Sequence, residues 1–257
     1  MEKIMPVLFV GHGSPMNAIE DNEFTRSWKN ISKKIPKPEA ILAISAHYER
    51  EDTSVTSNEI LKTIHDFYGF PRQLYAQKYD CSGSKELITK IKALIEDVNF
   101  DSKWGVDHGV WCVLSKMYPN AEIPLVELSI NRKLRMRQHY ELGKKLYKLR
   151  EEGILIFCTG NIVHNLMMAR MPGSPYKWAI SFDEKVKKFV TAWDDLKLVN
   201  YESIGEDALL SVNSAEHYIP LIYSLGATNE NESISFFCEK IVYATISMRC
   251  ILFESSV

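Results

Sequence analysis

The feature that most constrains this chain is the stretch Val7–Met16. Four apolar residues, Val7-Leu8-Phe9-Val10, run straight into Gly11-His12-Gly13-Ser14-Pro15-Met16. An unbroken apolar run suits a strand buried on both faces. The glycines relax the limits on φ and let other groups come close, and Pro15 stops the strand. His12 is therefore expected at the C-terminal edge of a central strand, where open α/β sheets bind their ligands. The arrangement recurs at residues 40–45, followed by Ala46-His47, and at residues 154–160, with His164 shortly after. Three predicted strands would bring three histidines near one sheet edge, and that convergence predicts a metal site.

Composition narrows the class. The chain has 257 residues, 46% hydrophobic and 25% charged, which is ordinary for a globular protein. No repeat, low-complexity tract or linker divides it, so one domain over residues 1–257 is expected. Its 31 basic and 33 acidic residues leave a net charge of −2, with no basic excess to attract nucleic acid or an anionic membrane. The opening Met1–Pro6 does not read as a signal peptide, and no stretch is apolar for long enough to span a bilayer. The five cysteines are scattered without a C-x-x-C pair, which points away from a disulfide framework and toward a cytoplasmic protein.

Periodicity supplies the elements. Asp21-Asn22-Glu23 predicts a helix entry, with the helix running to about Lys34. A weaker strand is expected at Thr53–Ser57. A helix starts at Ser82-Gly83-Ser84 and runs to about Val98, with Leu87, Ile91, Leu94, Ile95 and Val98 at helical spacing. Val110–Met117 predicts a short helix, Pro124–Ile130 a strand, and Arg135–Glu152 and Ala179–Trp193 long helices. Ser214–Leu221 opens a last helix, with Pro220 tolerable in its first turn. Ile234–Cys238 and Ser247–Phe253 predict two closing strands, antiparallel at the sheet edge. Strands alternating with helices argue for an α/β fold with helices on both faces.

Seven histidines carry the chemistry to be assigned. A lone histidine after a strand is usually a packing or surface residue. His12, His47, His164 and His217 gain weight together, because a metal site needs ligands from separate elements brought to one point. His139 lies within an amphipathic helix and reads as structural. The loop His65-Asp66-Phe67-Tyr68-Gly69-Phe70-Pro71 packs aromatics around a His-Asp pair, which suits the wall of a pocket for a flat ring. His65 and Phe67 are expected to bind substrate there. His108, flanked by Asp107 and Gly109, is expected to line the same pocket, with Gly109 letting a ligand approach. Glu49, Asp107 and Glu216 are candidate partners that fix an imidazole tautomer. Glu216 could instead be a ligand itself, giving two histidines and one carboxylate.

The blocks around these residues resemble the class III extradiol ring-cleaving dioxygenases, in the branch named for 4,5-DOPA dioxygenase. The resemblance rests on Gly11–Met16, Ser45-Ala46-His47, His65–Pro71, Asp107-His108-Gly109-Val110-Trp111, Gly160–Leu166 and Glu216–Leu221, in order along nearly the whole chain. It implies a three-layer α/β sandwich with a mixed, mostly parallel central sheet and one mononuclear divalent metal at a sheet edge. It also implies His12, His47 and His217 as ligands, with Glu216 as the competing third. His164 corresponds to the acid/base catalyst and to a further ligand in a resting zinc form; should His164 serve mainly as a ligand, His108 is the next catalytic candidate from its place in the pocket. The implied substrates are a catechol, DOPA-like or related, and dioxygen. Fe(2+) is implied for dioxygenase activity and Zn(2+) as the metal found. Tyr48 stands where a tryptophan is frequent and is expected to alter the pocket's shape.

Two other functions fit the residues alone. Four histidines and an activated water would make a zinc hydrolase. A retained pocket also serves a non-catalytic binding protein. The state expected is a monomer or small homo-oligomer.

Overall fold

The computed structural model describes residues 4–255, so the leading Met1–Lys3 lies outside the described residues. A six-stranded sheet forms the centre, built from β1 (Val7–Gly11), β2 (Ala40–Ser45), β3 (Leu125–Glu127), β4 (Ile154–Gly160), β5 (Glu232–Phe237) and β6 (Cys250–Ser255). Its spatial order is β5-β6-β1-β4-β2-β3. The block β1-β4-β2-β3 is parallel throughout, with Phe9 opposite Cys158, Leu42 opposite Ile156 and Leu42 opposite Val126. β6 runs antiparallel to β1, and β5 antiparallel to β6, as the tail of the sequence predicts.

Every residue of β1, β2 and β4 is buried, which is why these strands read as continuous apolar runs rather than alternating ones. Alternate side chains feed two cores. Val7, Phe9, Leu42, Ile44 and Ile156 pack on the face covered by α4 (Met136–Glu151), α5 (Lys177–Thr191) and α6 (Ile219–Gly226). Leu8, Val10, Ile41, Ala43 and Phe157 pack on the face covered by α1 (Glu23–Ile31) and α3 (His108–Met117). The layers are helix, sheet, helix. Remaining on the first face is α2 (Lys85–Leu94), anchored by Leu87 and Ile91.

Local chemistry sets the element ends. Asn22 caps α1 by accepting from the Phe24 and Thr25 amides, and the Asn22 amide donates back to Thr25 Oγ1. That helix ends at Ile31 rather than near Lys34, and the next three residues form a turn. α2 ends at Leu94, short of the expected Val98. Ile95 and Val98 stay buried, but Ile95 is already extended, so burial persists after the helical path has ended. α3 begins at His108 rather than Val110, because the Asp107 carboxylate accepts from the Gly109 amide and starts the helix early.

Candidate metal centre and pocket

The sheet order brings the histidines together. β4 lies between β1 and β2, and the ends of all three are tied at one edge. The His12 amide donates to Gly160 O at 3.2 Å and the Ala46 amide to Thr159 O at 3.0 Å. The Asn161 amide donates to His217 O at 2.9 Å, which fixes the chain before α6 against the end of β4. A Cβ at Gly160 would stand 2.2 Å from that same carbonyl, so glycine is required for the approach. His217 precedes α6 in a turn and does not begin the helix. Ser214 does not cap the helix either, since its hydroxyl donates to Glu216 Oε1 at 2.8 Å.

Three imidazoles form a near-equilateral set. Ring centroids are 5.1 Å apart for His12 and His47, 5.5 Å for His12 and His217, and 5.2 Å for His47 and His217. Their tautomers follow from their partners. Thr159 Oγ1 spends its single proton on Gly109 O at 2.8 Å, so toward His12 Nδ1, 3.0 Å away, it can only accept. His12 therefore carries its proton on Nδ1. His47 Nδ1 lies 3.3 Å from Asp66 Oδ2, and His217 Nδ1 lies 3.0 Å from Glu216 Oε1. A carboxylate only accepts, so the hydrogen bond to Glu216 puts the His217 proton on Nδ1, and the Asp66 carboxylate beside His47 Nδ1 favours the same tautomer there. His12 and His217 are thus left with bare lone pairs on Nε2, and so is His47 in the tautomer its carboxylate neighbour favours.

His12 Nε2 and His47 Nε2 face each other across 3.2 Å. Two lone pairs at that distance repel unless a cation lies between them. Nitrogens about 2.0–2.1 Å from one ion and this far apart subtend roughly 100°, between octahedral and tetrahedral angles. The donor set thus fits a divalent metal. Its electrostatics agree, because a histidine must be neutral to ligate. Burial, then repulsion among the histidines, pushes His12 and His217 well below their ordinary pKa and His47 down to about 3.

His164 enters differently. Its amide donates to Ser211 O at 2.9 Å, and its backbone bridges Val212 and Ile246. Its ring stacks flat on His217 at 3.5 Å, and burial lowers its pKa to about 4. His164, Glu216 and His217 each offer a ligand atom within 4.8 Å of the other two, and so do His12, His47 and His108.

Asp66 is the residue that sequence reasoning left out of the site. Its Oδ1 accepts from the His108 amide at 3.0 Å, and its Oδ2 lies 2.9 Å from His108 Nδ1 as well as near His47. Burial alone would raise its carboxyl, but His108 and His47 outweigh that and hold it below the usual range. Behind His47, Ser45 Oγ accepts from the His47 amide at 3.2 Å and donates to Asp107 Oδ1 at 2.8 Å. Gly109 serves this packing rather than an incoming ligand, because a Cβ there would meet the His47 ring at 2.9 Å. Thr159 gave no signal at all, being one more residue in a buried strand.

The histidines floor a cavity of about 380 Å³, near the lower end of the ~300–1,000 Å³ usual for small-molecule sites. His12, His47, His108, His164 and His217 all line it, and Phe67, Tyr68, Phe70, Leu166 and Tyr243 form its wall. The Phe67 ring stands edge-on to His108 at 5.5 Å. His65 does not line it. Its Nε2 lies 3.0 Å from Gln77 O, and its ring supports Phe67 and Trp111 from behind. Tyr48 is also away from the cavity, stacked on Trp104 with its hydroxyl donating to Asp101. Glu49 is exposed on a short strand. His139 is buried on α4, 3.2 Å from the Tyr223 hydroxyl.

Comparison with known proteins identifies the family. Residues 6–251 match the family described as "Catalytic LigB subunit of aromatic ring-opening dioxygenase". The chain is 46% identical to the 4,5-DOPA dioxygenase extradiol of Escherichia coli (strain K12), over 95% of this chain and 93% of that protein. It is 38% identical to the protein of the same name from Beta vulgaris, over 90% of this chain and 89% of the relative. Among solved structures, uncharacterized protein JW3007 from Escherichia coli K12 superposes with a TM-score of 0.85 at 42% identity, covering 96% of this chain and 99% of the other.

Proposed function

Since this chain belongs to the family of catalytic LigB subunits of aromatic ring-opening dioxygenases and is a metal-dependent extradiol dioxygenase, we propose that His12, His47 and His217 hold its metal and that His164 moves the substrate's proton. The observation that carries the ligand assignment is the pair of Nε2 atoms facing each other across 3.2 Å, with the His12 proton held on Nδ1 by Thr159 and the Asp66 carboxylate beside His47 Nδ1. Glu216 acts on His217 Nδ1, so its part is to orient that ring and the ligand is His217. When bound, the metal supplies the charge that gathers the two oxygens of a catechol and dioxygen at one place.

The protein's own groups do the rest. Phe67 offers an aromatic face and edge to the catechol ring beside His108. His164 has no side-chain hydrogen bond among the described residues, so its imidazole is free to accept a phenolic proton. It is neutral at pH 7, as a base must be, and returns the proton when the ring opens. His108, held by Asp66, contacts the substrate from the opposite side and is the second proton carrier. His65 buttresses Phe67. The aromatic wall limits water around the reacting ring.

The metal is Fe(II) in the working enzyme, with Zn(II) occupying the same histidines in a resting form. Five free cysteines suit a reducing cytoplasm, and no described helix is long and apolar enough to cross a membrane. The test is anaerobic reconstitution with Fe(II) or Zn(II), then a catechol panel followed by oxygen uptake and by absorbance of yellow ring-opened products. Fe(II)-dependent oxygen uptake is expected. Turnover of no catechol with either metal would sink the reading.

A further inference from the structure

One segment of the cavity wall lies between two cysteines, and ring opening uses neither of them. Residues 239–249 leave the end of β5, make a tight turn at Tyr243 and Ala244, both with positive φ, and return to the start of β6. Tyr243 and Ile246 line the cavity, Ile246 bridges the backbone of His164, and Met248 packs on Gly13 beside His12. Cys238 stands at one end of the segment and Cys250 at the other.

Regular strand geometry would keep the two thiols apart. Phe237 pairs with Cys250 across the antiparallel ladder of β5 and β6, so their side chains share one face of the sheet. Successive residues of a strand face opposite sides, and a continued β5 would send Cys238 to the side of Arg249. The strand stops instead. Cys238 takes φ +55°, which a residue other than glycine rarely holds, and its carbonyl accepts from the Lys240 amide at 2.7 Å. That turn brings Cys238 back to the face of Phe237 and Cys250, where all three pack on the same core. The two thiols are hydrogen-bond partners there. Backbone strain of this kind persists only where the surroundings hold it, and it gathers at functional positions.

The two sulfurs differ as a reactive pair requires. Cys238 is half-buried, and the hydrogen bond from Cys250 holds its thiol below the ordinary range. Cys250 is fully buried, and burial pushes its thiol well above that range. Its single S–H has Met248 O in reach at 3.3 Å and the Cys238 sulfur beside it. Cys238 is thus the nucleophile that solvent reaches, and Cys250 is the neighbour that resolves it. Cys81, Cys112 and Cys158 are buried, and burial raises each of those thiols.

We propose that Cys238 and Cys250 form a modification site for hydrogen peroxide, and that the resulting disulfide closes the wall segment between them into a loop. The Cys238 thiolate attacks one peroxide oxygen, the O–O bond breaks, and hydroxide leaves with the electron pair, giving Cys238 sulfenic acid. The Cys250 sulfur then attacks the Cys238 sulfur, the S–O bond breaks, and the departing hydroxide takes the Cys250 proton as water. The proton that Cys238 gave up neutralises the first hydroxide. The two sulfurs lose two electrons in all, and peroxide becomes two waters. A reducing dithiol reverses the bridge. None of this depends on which ring the cavity takes.

The test treats the full chain with hydrogen peroxide after loading with Zn(II), so that no iron reacts with the oxidant. Peptide mapping without reductant should find Cys238 joined to Cys250, with two of the five free thiols lost and dithiothreitol restoring both. The pair should react about tenfold or more faster than Cys81, Cys112 and Cys158, since one pKa unit changes the thiolate fraction that much. In Cys250→Ala the Cys238 sulfenic acid should persist and be trapped by dimedone, and in Cys238→Ser neither product should form. Amides of residues 239–249 should exchange with deuterium more slowly once the bridge is made. Cys238 passing to sulfinic acid in the parent without a bridge, or all five thiols reacting together, overturns the pairing. Unchanged exchange over 239–249 overturns the closure of the wall. Both results are read on the parent protein, so they stand even where a variant fails to fold.

Discussion

Replacing Thr159 with valine removes the hydroxyl that sets the tautomer of His12 while keeping nearly the same shape. Two buried contacts go with it, the 3.0 Å contact to His12 Nδ1 and the 2.8 Å donation to Gly109 O. Gly109 O keeps its place in the first turn of α3, so the buried group that loses its partner is His12 Nδ1. An unsatisfied buried polar group costs about 1–3 kcal/mol, so the metal-free protein should lose about that much, less what the extra methyl's burial returns. The metal should suffer separately. Without an acceptor at Nδ1, the His12 proton is free to move to Nε2, which removes the lone pair aimed at His47. Loss of such an orienting partner weakens metal binding by roughly 10–100-fold. The assay is competition with a chelator of known affinity, with chemical denaturation of the metal-free form run alongside. Thr159→Ser keeps the hydroxyl and should keep most of the affinity. A Thr159→Val protein that binds Zn(II) within twofold of the parent would refute the tautomer argument, whatever its stability.

Further expectations follow from other residues. His164→Ala should keep its metal by elemental analysis while turnover falls roughly 10²–10⁴-fold, whereas His12→Ala should lose the metal itself; equal metal loss in both would make His164 primarily a ligand. His139, buried and lowered to about 4 against an ordinary 6.5, is neutral in the folded state and takes up a proton more readily when unfolded. Its contribution, about 3 kcal/mol, is therefore present above pH 6.5 and lost as pH falls toward 4. Urea denaturation across that window should show stability rising with pH, and His139→Phe should flatten that part of the slope. Arg150 is fully buried, paired with Glu232 at 2.6 and 2.8 Å, and it also holds Met5 O and Ala227 O. Glu232→Ala should cost about 3–5 kcal/mol by leaving that cation unpaired, and a change below 1 kcal/mol in thermal unfolding would count against it.

The junctions of strand and histidine were readable because each combined two local signals, an unbroken apolar run and a glycine or serine that breaks it. His12 and His47 follow directly from that pattern. His164 does not, since its position depends on Ser211, Val212 and Ile246, which no local rule connects to it. In the aromatic loop the adjacent pair His65-Asp66 was read for its histidine. Successive residues of an extended segment point to opposite sides. Here Asp66 faces the site and His65 faces Gln77 behind it. The turn at Tyr243 was unreadable for a different reason, because Val242-Tyr243-Ala244-Thr245 contains none of the residues that usually announce such a turn. The fold class was more accessible than the site's supporting groups, since alternation of elements is a long-range pattern and a single hydrogen-bond partner is not.

The insertion of β4 between β1 and β2 has a consequence for how the protein comes into being. During synthesis His12 and His47 leave the ribosome early, but no sheet can hold them at one edge until residues 154–160 slot between their strands. His217 follows some sixty residues later, and the strand that closes the far side of β1 is at the very end of the described chain. Contacts of such long sequence separation form late in folding. The proposed ligand set is therefore complete only in a finished protein, and the emerging chain carries only scattered histidines with little hold on any ion.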